Sequence, residues 1–223
     1  MTDVLGYRRF GAQGGDWGAA VTLALGLHHP DRLVGVHFNF FSASLRIELA
    51  SGAPPFSEEE KAYLSAATQW LEAEGAYGHI QGTRPQTLAY GLADSPAGLA
   101  GWILEKFQRW SDCDGHPENC FSRDELLTNL SIYWLTNSIH SSFRLYAERR
   151  RLPARIAAGQ RVAVPAGAAL FPKEIVQPPR SYAERFLDLR RWSPQPRGGH
   201  FAAMEQPHLL AEEIRAFFRP LRG

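Results

Sequence analysis

The sequence predicts an α/β fold, a parallel sheet interrupted by a helical insertion, on three observations. A short apolar approach (Tyr7 to Ala12), a glycine-bracketed stretch (Gln13 to Gly18) and an Ala/Leu-rich run (Ala19 to Leu27) read as strand, tight turn and helix. A second apolar run, Leu33 to Phe40, has strand length without polar alternation, so a parallel βαβ unit is the economical arrangement. Helical periodicity then takes over from Phe41 to about Leu152, and strand character returns at Arg161 to Gly167 and Phe186 to Trp192.

In order, Val4 to Phe10 reads as the end of a helix feeding a buried strand around Arg9 to Gln13. Asp16 opens a helix to about His29, closed by Pro30. His28, His29 and His37 lie in or beside these elements and are taken as structural or surface residues. Ser57-Glu58-Glu59-Glu60 is a capping box opening a helix with Tyr63, Leu64, Ala67 and Leu71 on one face. Further helices are expected over Pro85 to Leu92 and Pro96 to Trp110. A second capping box, Ser122 to Glu125, opens a long helix through Trp134 towards Tyr146. The expected division is residues 1–41 as the first part of the core, 42–152 as a helical lid, and 153–223 as the second part of the core, ending in an amphipathic helix from Pro207 to Arg219.

At 223 residues the chain is long enough for one sizeable core. Its net charge of +1, with signs mixed, offers no electrostatic case for nucleic acid or an anionic membrane. Cys113 and Cys120 make no disulfide framework, and their spacing around His116 matches no standard zinc site. The N-terminus lacks the basic and apolar regions of a signal peptide, and no stretch has the apolar length of a bilayer span. The expectation is a cytoplasmic chain with no metal and no organic cofactor.

Gly14 and Gly18 flank Asp16 in a Gly-x-nucleophile-x-Gly pattern, the elbow that displays a reactive side chain on a sharp strand-to-helix turn. Both glycines are expected because bulk on either side would clash where helix and strand pass closely. The bland alternative is a helix N-cap aspartate. A carboxylate is ionised at neutral pH without a base, and its attack on an alkyl carbon would give an alkyl ester. Glu174 and His200 each follow a predicted strand, where ligands bind in open α/β sheets. The order Asp16, Glu174, His200 is that of nucleophile, acid and histidine in α/β-hydrolases.

These residues resemble the epoxide hydrolases of the microsomal type, α/β-hydrolases with a helical lid. The resemblance rests on Gln13-Gly14-Gly15-Asp16-Trp17-Gly18, on His79 to Thr87, on Asp94-Ser95-Pro96-Ala97-Gly98-Leu99, on Phe171-Pro172-Lys173-Glu174 and on Arg197 to Ala203. It implies that Asp16 opens an epoxide to a hydroxyalkyl ester and that Tyr77 and Tyr146 protonate the ring oxygen. It further implies that His200, oriented by Glu174, activates water to release a vicinal diol, with the Trp17 backbone N–H as an oxyanion donor. Tyr63, Tyr90, Tyr133 and Tyr182 are read as ordinary core or surface tyrosines. The partner implied is a small apolar epoxide, in aromatic hydrocarbon catabolism or detoxification.

Members of that family carry an N-terminal region with a His-Gly-x-Pro loop before the elbow, and this sequence has no His-Gly-x-Pro. The elbow strand is therefore expected to lack a neighbour on one side. The chain alone is expected to be weak or inactive, with an N-terminal partner chain or a homodimer as the macromolecular candidates. Haloalkane dehalogenase chemistry, with the Trp17 indole holding a halide, is the nearest rival, and an inert remnant is the other.

Overall fold

The structure, a computed structural model, describes residues 1–151 and 155–222. In chain order the elements are α1 (Thr2–Leu5), β1 (Phe10–Gly14), α2 (Asp16–His28), β2 (Leu33–Phe38), β3 (Arg46–Ile47) and α3 (Glu58–Glu74). Five helices follow, α4 (Ala76–Thr83), α5 (Pro85–Asp94), α6 (Pro96–Trp110), α7 (Arg123–Leu135) and α8 (Ile139–Arg151). The chain closes with β4 (Arg155–Ile156), β5 (Val162–Leu170), α9 (Arg180–Glu184), β6 (Leu187–Pro194), α10 (Ala202–Glu205) and α11 (Pro207–Phe218). Two compact units result, Met1–Thr68 with Arg155–Gly223, and Gln69–Ala154. Residues 42–68, grouped from the sequence with the lid, cluster with the sheet. Tyr63 packs on Tyr182 at 5.0 Å between ring centroids, and the buried Glu60 carboxylate takes two hydrogen bonds from Arg185, each 2.7 Å. The expected lid end at Leu152 lies outside the described residues.

The sheet unit is built on four parallel strands in the order β1-β2-β5-β6. The predicted βαβ unit is present as β1-α2-β2. Strands β2 and β5 are central, and their apolar runs are buried on both faces, with Leu33, Val36, Ala166 and Ala168 at 0% exposure. Small residues set the helix distance. A Cβ on Gly26 of α2 would come within 2.9 Å of Val162, and one on Gly167 within 2.6 Å of Phe217 of α11. Residues alternate across a strand, so α2 covers the Val36 face of β2 and α11 the Gly35 face.

β1, read as a buried strand that lacks a neighbour on one side, is an edge of the described sheet; it pairs with β2, buries Ala12 and Gly14, and leaves Gly11 and Gln13 exposed. His37 lies on the Gly35 face against the Phe217 ring, 5.6 Å away, and burial holds it neutral with a pKa of about 4. A two-stranded parallel pair, β3 with β4, was not foreseen, because two-residue strands leave no periodicity to read.

In the helical unit, Ala89, Leu92, Leu99, Ile139 and Phe143 form a core, with Trp102, Ile103, Tyr133 and Trp134 packed on it. The long helix expected from Ser122 towards Tyr146 is two helices. Its capping box forms in both directions, Glu125 N–H to Ser122 Oγ and Ser122 N–H to the Glu125 carboxylate. It then ends at Leu135, because Asn137 turns left-handed at φ 51° and Thr136 hydroxyl bonds back to the Ile132 carbonyl. Helix α4 was missed, since Ala-Tyr-Gly-His-Ile-Gln-Gly-Thr carries two glycines in eight residues and has weak intrinsic helicity. The Cys113 and Cys120 thiols donate to the Gln108 and Asp112 carbonyls and do not pair with each other.

Candidate active site

β1 ends at Gly14 and α2 begins at Asp16, leaving one residue, Gly15, to reverse the chain. The strain falls on Asp16, whose φ is 44°, in the left-handed region that few residues other than glycine occupy. The turn is tight because Gly14 lies against the first turn of α2. A Cβ on Gly14 would sit 2.1 Å from the Gly18 carbonyl oxygen, and one on Gly15 within 2.6 Å of the Asn39 amide. The two bracketing glycines are not equivalent, contrary to the sequence expectation. A Cβ at Gly18 would meet nothing, so it is the Gly18 backbone, not the absence of its side chain, that demands glycine at position 14.

Glu174 and His200 enter from loops after β5 and β6, at the same ends of parallel strands as Asp16. The loops are tied together by the Lys173 N–H bond to the Gly198 carbonyl, 3.0 Å. Gly198 itself has φ 108°, and a Cβ there would press on Phe171 and Gln206, so glycine is required. Glu205 of α10 accepts from the Gly199 and Phe201 amides at 3.0 and 2.9 Å, clamping the loop on both sides of His200.

The result is a line of three groups. His200 Nδ1 is 2.7 Å from Glu174 Oε1, both side chains buried, and Nε2 is 3.8 Å from Asp16 Oδ2. The first distance is a charge-assisted hydrogen bond, which leaves Nε2 directed to Asp16. The second is longer than a hydrogen bond and acts by charge proximity. Burial pulls the His200 pKa down, but Asp16 and Glu174 outweigh it and push it up to about 9. The imidazole is thus cationic at neutral pH. The Asp16 side chain is 59% exposed and so open to a ligand. The Trp17 amide stands in the first turn of α2, at the positive end of the helix.

Tyr77 of α4 and Tyr146 of α8, far apart in sequence, meet edge-on inside the helical unit with ring centroids 5.9 Å apart. Tyr63 and Tyr182 are buried in the sheet unit, and Tyr90 is 65% exposed. Among the described residues, no group of three or more His, Cys, Asp or Glu side chains is arranged to hold a metal ion.

Residues that sequence reasoning passed over complete the surroundings. Asn39 accepts from the Gln13 side chain at 2.7 Å and fills the space beside Gly15. Phe40 and Phe201 stand edge-on to the His200 ring at 5.1 and 5.3 Å, shielding it from water. Phe40 and Asn39 lie just past β2, the strand end next to the elbow strand, and that position was the available signal. Glu205 carried none, since a glutamate five residues past a histidine is ordinary.

No protein-family model matches the chain. It is 44% identical over 98% of its length to a protein of Stigmatella aurantiaca provisionally named an epoxide hydrolase, covering 49% of that protein. It is 38% identical over 96% of its length to epoxide hydrolase 1 of Oryctolagus cuniculus, covering 51%. The solved Aspergillus niger epoxide hydrolase superposes with a TM-score of 0.80 at 28% identity, over 99% of this chain and 55% of that one. The chain spans about half the length of the curated relatives it matches. By sequence and by fold it is similar to the epoxide hydrolases of the α/β-hydrolase type, over about half of their length.

Proposed function

We propose that Asp16, Glu174 and His200 carry out the two-step opening of an apolar epoxide to a vicinal diol. The observation that supports this most directly is His200 lying between the Asp16 and Glu174 carboxylates, with Asp16 on a strained elbow. The Asp16 carboxylate attacks a ring carbon, the carbon–oxygen bond breaks, and the ring oxygen takes a proton from Tyr77 or Tyr146. A phenol suits that task because it is neutral at pH 7 yet acidic enough to meet an alkoxide.

Forming the ester removes the Asp16 charge. One of the two interactions that raise the His200 pKa is lost, so the imidazole gives up its proton and becomes competent as a base. Glu174 keeps it oriented while it draws a proton from water, and hydroxide attacks the ester carbonyl. The Trp17 amide, at the helix start, meets the oxyanion. On collapse the hydroxyl proton of the tetrahedral intermediate passes to the departing alkoxide, giving back the carboxylate and the diol, and the proton that the imidazole gave up is the one that restores the phenol.

The helical unit from Gln69 onward serves in this reading as the lid, and its aromatic content favours an apolar substrate. The exposed edge at β1 favours an added strand from a partner chain or a second copy. A cytoplasmic setting in aromatic hydrocarbon catabolism or detoxification completes the proposal; among the described residues, no helix is long and apolar enough to cross a membrane.

Single-turnover mass spectrometry with styrene oxide tests the reading. A transient adduct that is absent in Asp16→Ala and strongly slowed in the Tyr77→Phe, Tyr146→Phe double variant is expected. A folded protein that gives no adduct, or one whose adduct survives Asp16→Ala, would refute it.

A further inference from the structure

A cation stands on the face of Tyr77. Lys106 Nζ lies 4.8 Å from the Tyr77 ring centroid and 5.1 Å from that of Trp110. The placement follows from the helix: Lys106 and Trp110 are four apart on α6 and share a face, and the Trp110 ring meets Tyr77 edge-on at 5.2 Å. The lysine side chain is only 18% exposed, and its near counter-ion is the adjacent Glu105, at 2.5 Å. Of the other charges nearby, Arg109 of the same helix pairs with Glu74 at the end of α3, at 2.6 Å.

We propose that Lys106 is a positioning residue for Tyr77, its ammonium stabilising the negative charge the ring acquires on giving its proton to the epoxide oxygen. This rests on the reading of Tyr77 as a proton donor. In the alkylation step the Asp16 oxygen–carbon bond forms and the epoxide carbon–oxygen bond breaks. The departing electron pair on oxygen takes the phenolic proton, leaving the Tyr77 ring as phenolate until ester hydrolysis returns a proton. A cation on a neutral phenol face is held by the ring quadrupole; on a phenolate face it meets a full opposite charge. The interaction therefore strengthens as the reaction proceeds, which is the condition for lowering a barrier and not merely for binding.

A structural role predicts something else. Lysine stems often lie along aromatic surface for packing, and then loss of the charge changes nothing if the stem is kept. Lys106→Met keeps the stem, Lys106→Arg keeps the cation, and Glu105→Gln removes the counter-charge. Two readouts apply: the Tyr77 phenol titration, followed by NMR of ζ-13C-labelled tyrosine with Tyr77→Phe assigning the signal, and the rapid-quench rate of ester formation with styrene oxide.

Lys106→Met should raise the Tyr77 titration midpoint by about half to one pH unit and slow ester formation roughly five- to tenfold. Ester hydrolysis and the thermal midpoint should stay as in the parent. Lys106→Arg should restore most of both losses, and Glu105→Gln should lower the titration midpoint. An unmoved titration in Lys106→Met overturns the proposal, as does a slowed reaction that Lys106→Arg fails to rescue. Should the parent form no ester at all, the function reading fails, and the titration arm still decides the role of Lys106.

Discussion

Replacing Asp16 with Asn mimics the charge change of ester formation while keeping the side chain's shape, and the His200 imidazole should report it. In the parent, Asp16 Oδ2 lies 3.8 Å from Nε2, and the His200 pKa is about 9. Two unit charges at that distance interact by about 1 kcal/mol at the dielectric of water and by about 4 kcal/mol at an effective value of 20. The Asp16 side chain is 59% exposed, so solvent screening puts the effect near the lower end, about 1–2 kcal/mol. At about 1.4 kcal/mol per pKa unit, the His200 midpoint should drop by about one, to near 8. Long-range 15N–1H NMR of the imidazole, titrated from neutral to alkaline pH, measures it directly. Glu174→Gln should lower the midpoint further, because that carboxylate is buried and only 2.7 Å away. A His200 midpoint that stays where it is in Asp16→Asn would sink the idea that alkylation releases the base.

The same elevation has a stability consequence. Between the ordinary histidine value of 6.5 and about 9 the folded state holds a proton that the unfolded state has lost, so stability falls as pH rises through that window. Calorimetric melting of the parent should show this decline, and Asp16→Asn should end it at lower pH; parallel curves would contradict the assignment. At the elbow, Gly14→Ala should prevent stable folding, because its Cβ meets backbone at 2.1 Å, whereas Gly18→Ala should be neutral or stabilising by about 0.5–1 kcal/mol. Equal melting temperatures for the two would show that the close approach is not real. Glu60→Gln should cost about 3 kcal/mol, since it leaves Arg185 facing a neutral group at a site where the carboxylate is 1% exposed. Its urea midpoint checks this, and a loss below about 1 kcal/mol would class the pair with ordinary surface ion pairs.

What the sequence made legible was whatever had a local cause. Capping boxes at Ser57 and Ser122 are satisfied within four residues, and both form. The apolar run in β2 and the proline closing α2 are equally local, and so is the glycine spacing that places Asp16 between a strand and a helix. Failures came where the deciding interaction was brief or distant. The break between α7 and α8 turns on one left-handed asparagine in the polar stretch Thr136-Asn137-Ser138, which contains neither the glycine nor the proline that would mark a helix end in the sequence. The pairing of β3 with β4 rests on strands of two residues, too brief for any periodicity to reveal.

The candidate site shows why its three residues could be read while their support could not. In a parallel sheet every strand ends on the same side, so residues just past β1, β5 and β6 converge however much chain separates them. Asp16, Glu174 and His200 needed only correct strand ends to be placed together. The groups that hold them answer to no such rule. Glu205 clamps the His200 loop through amides at positions 199 and 201, and Asn39 fills the space that Gly15 leaves; both act through side-chain geometry that exists only after the sheet has formed. Lys106 belongs to the same class, since its place above Tyr77 depends on how α4 and α6 pack and not on spacing within either. The reactive groups were therefore open to inference from topology, while what tunes their protonation, the burial of His200 and a cation on a phenol face, required the packed structure.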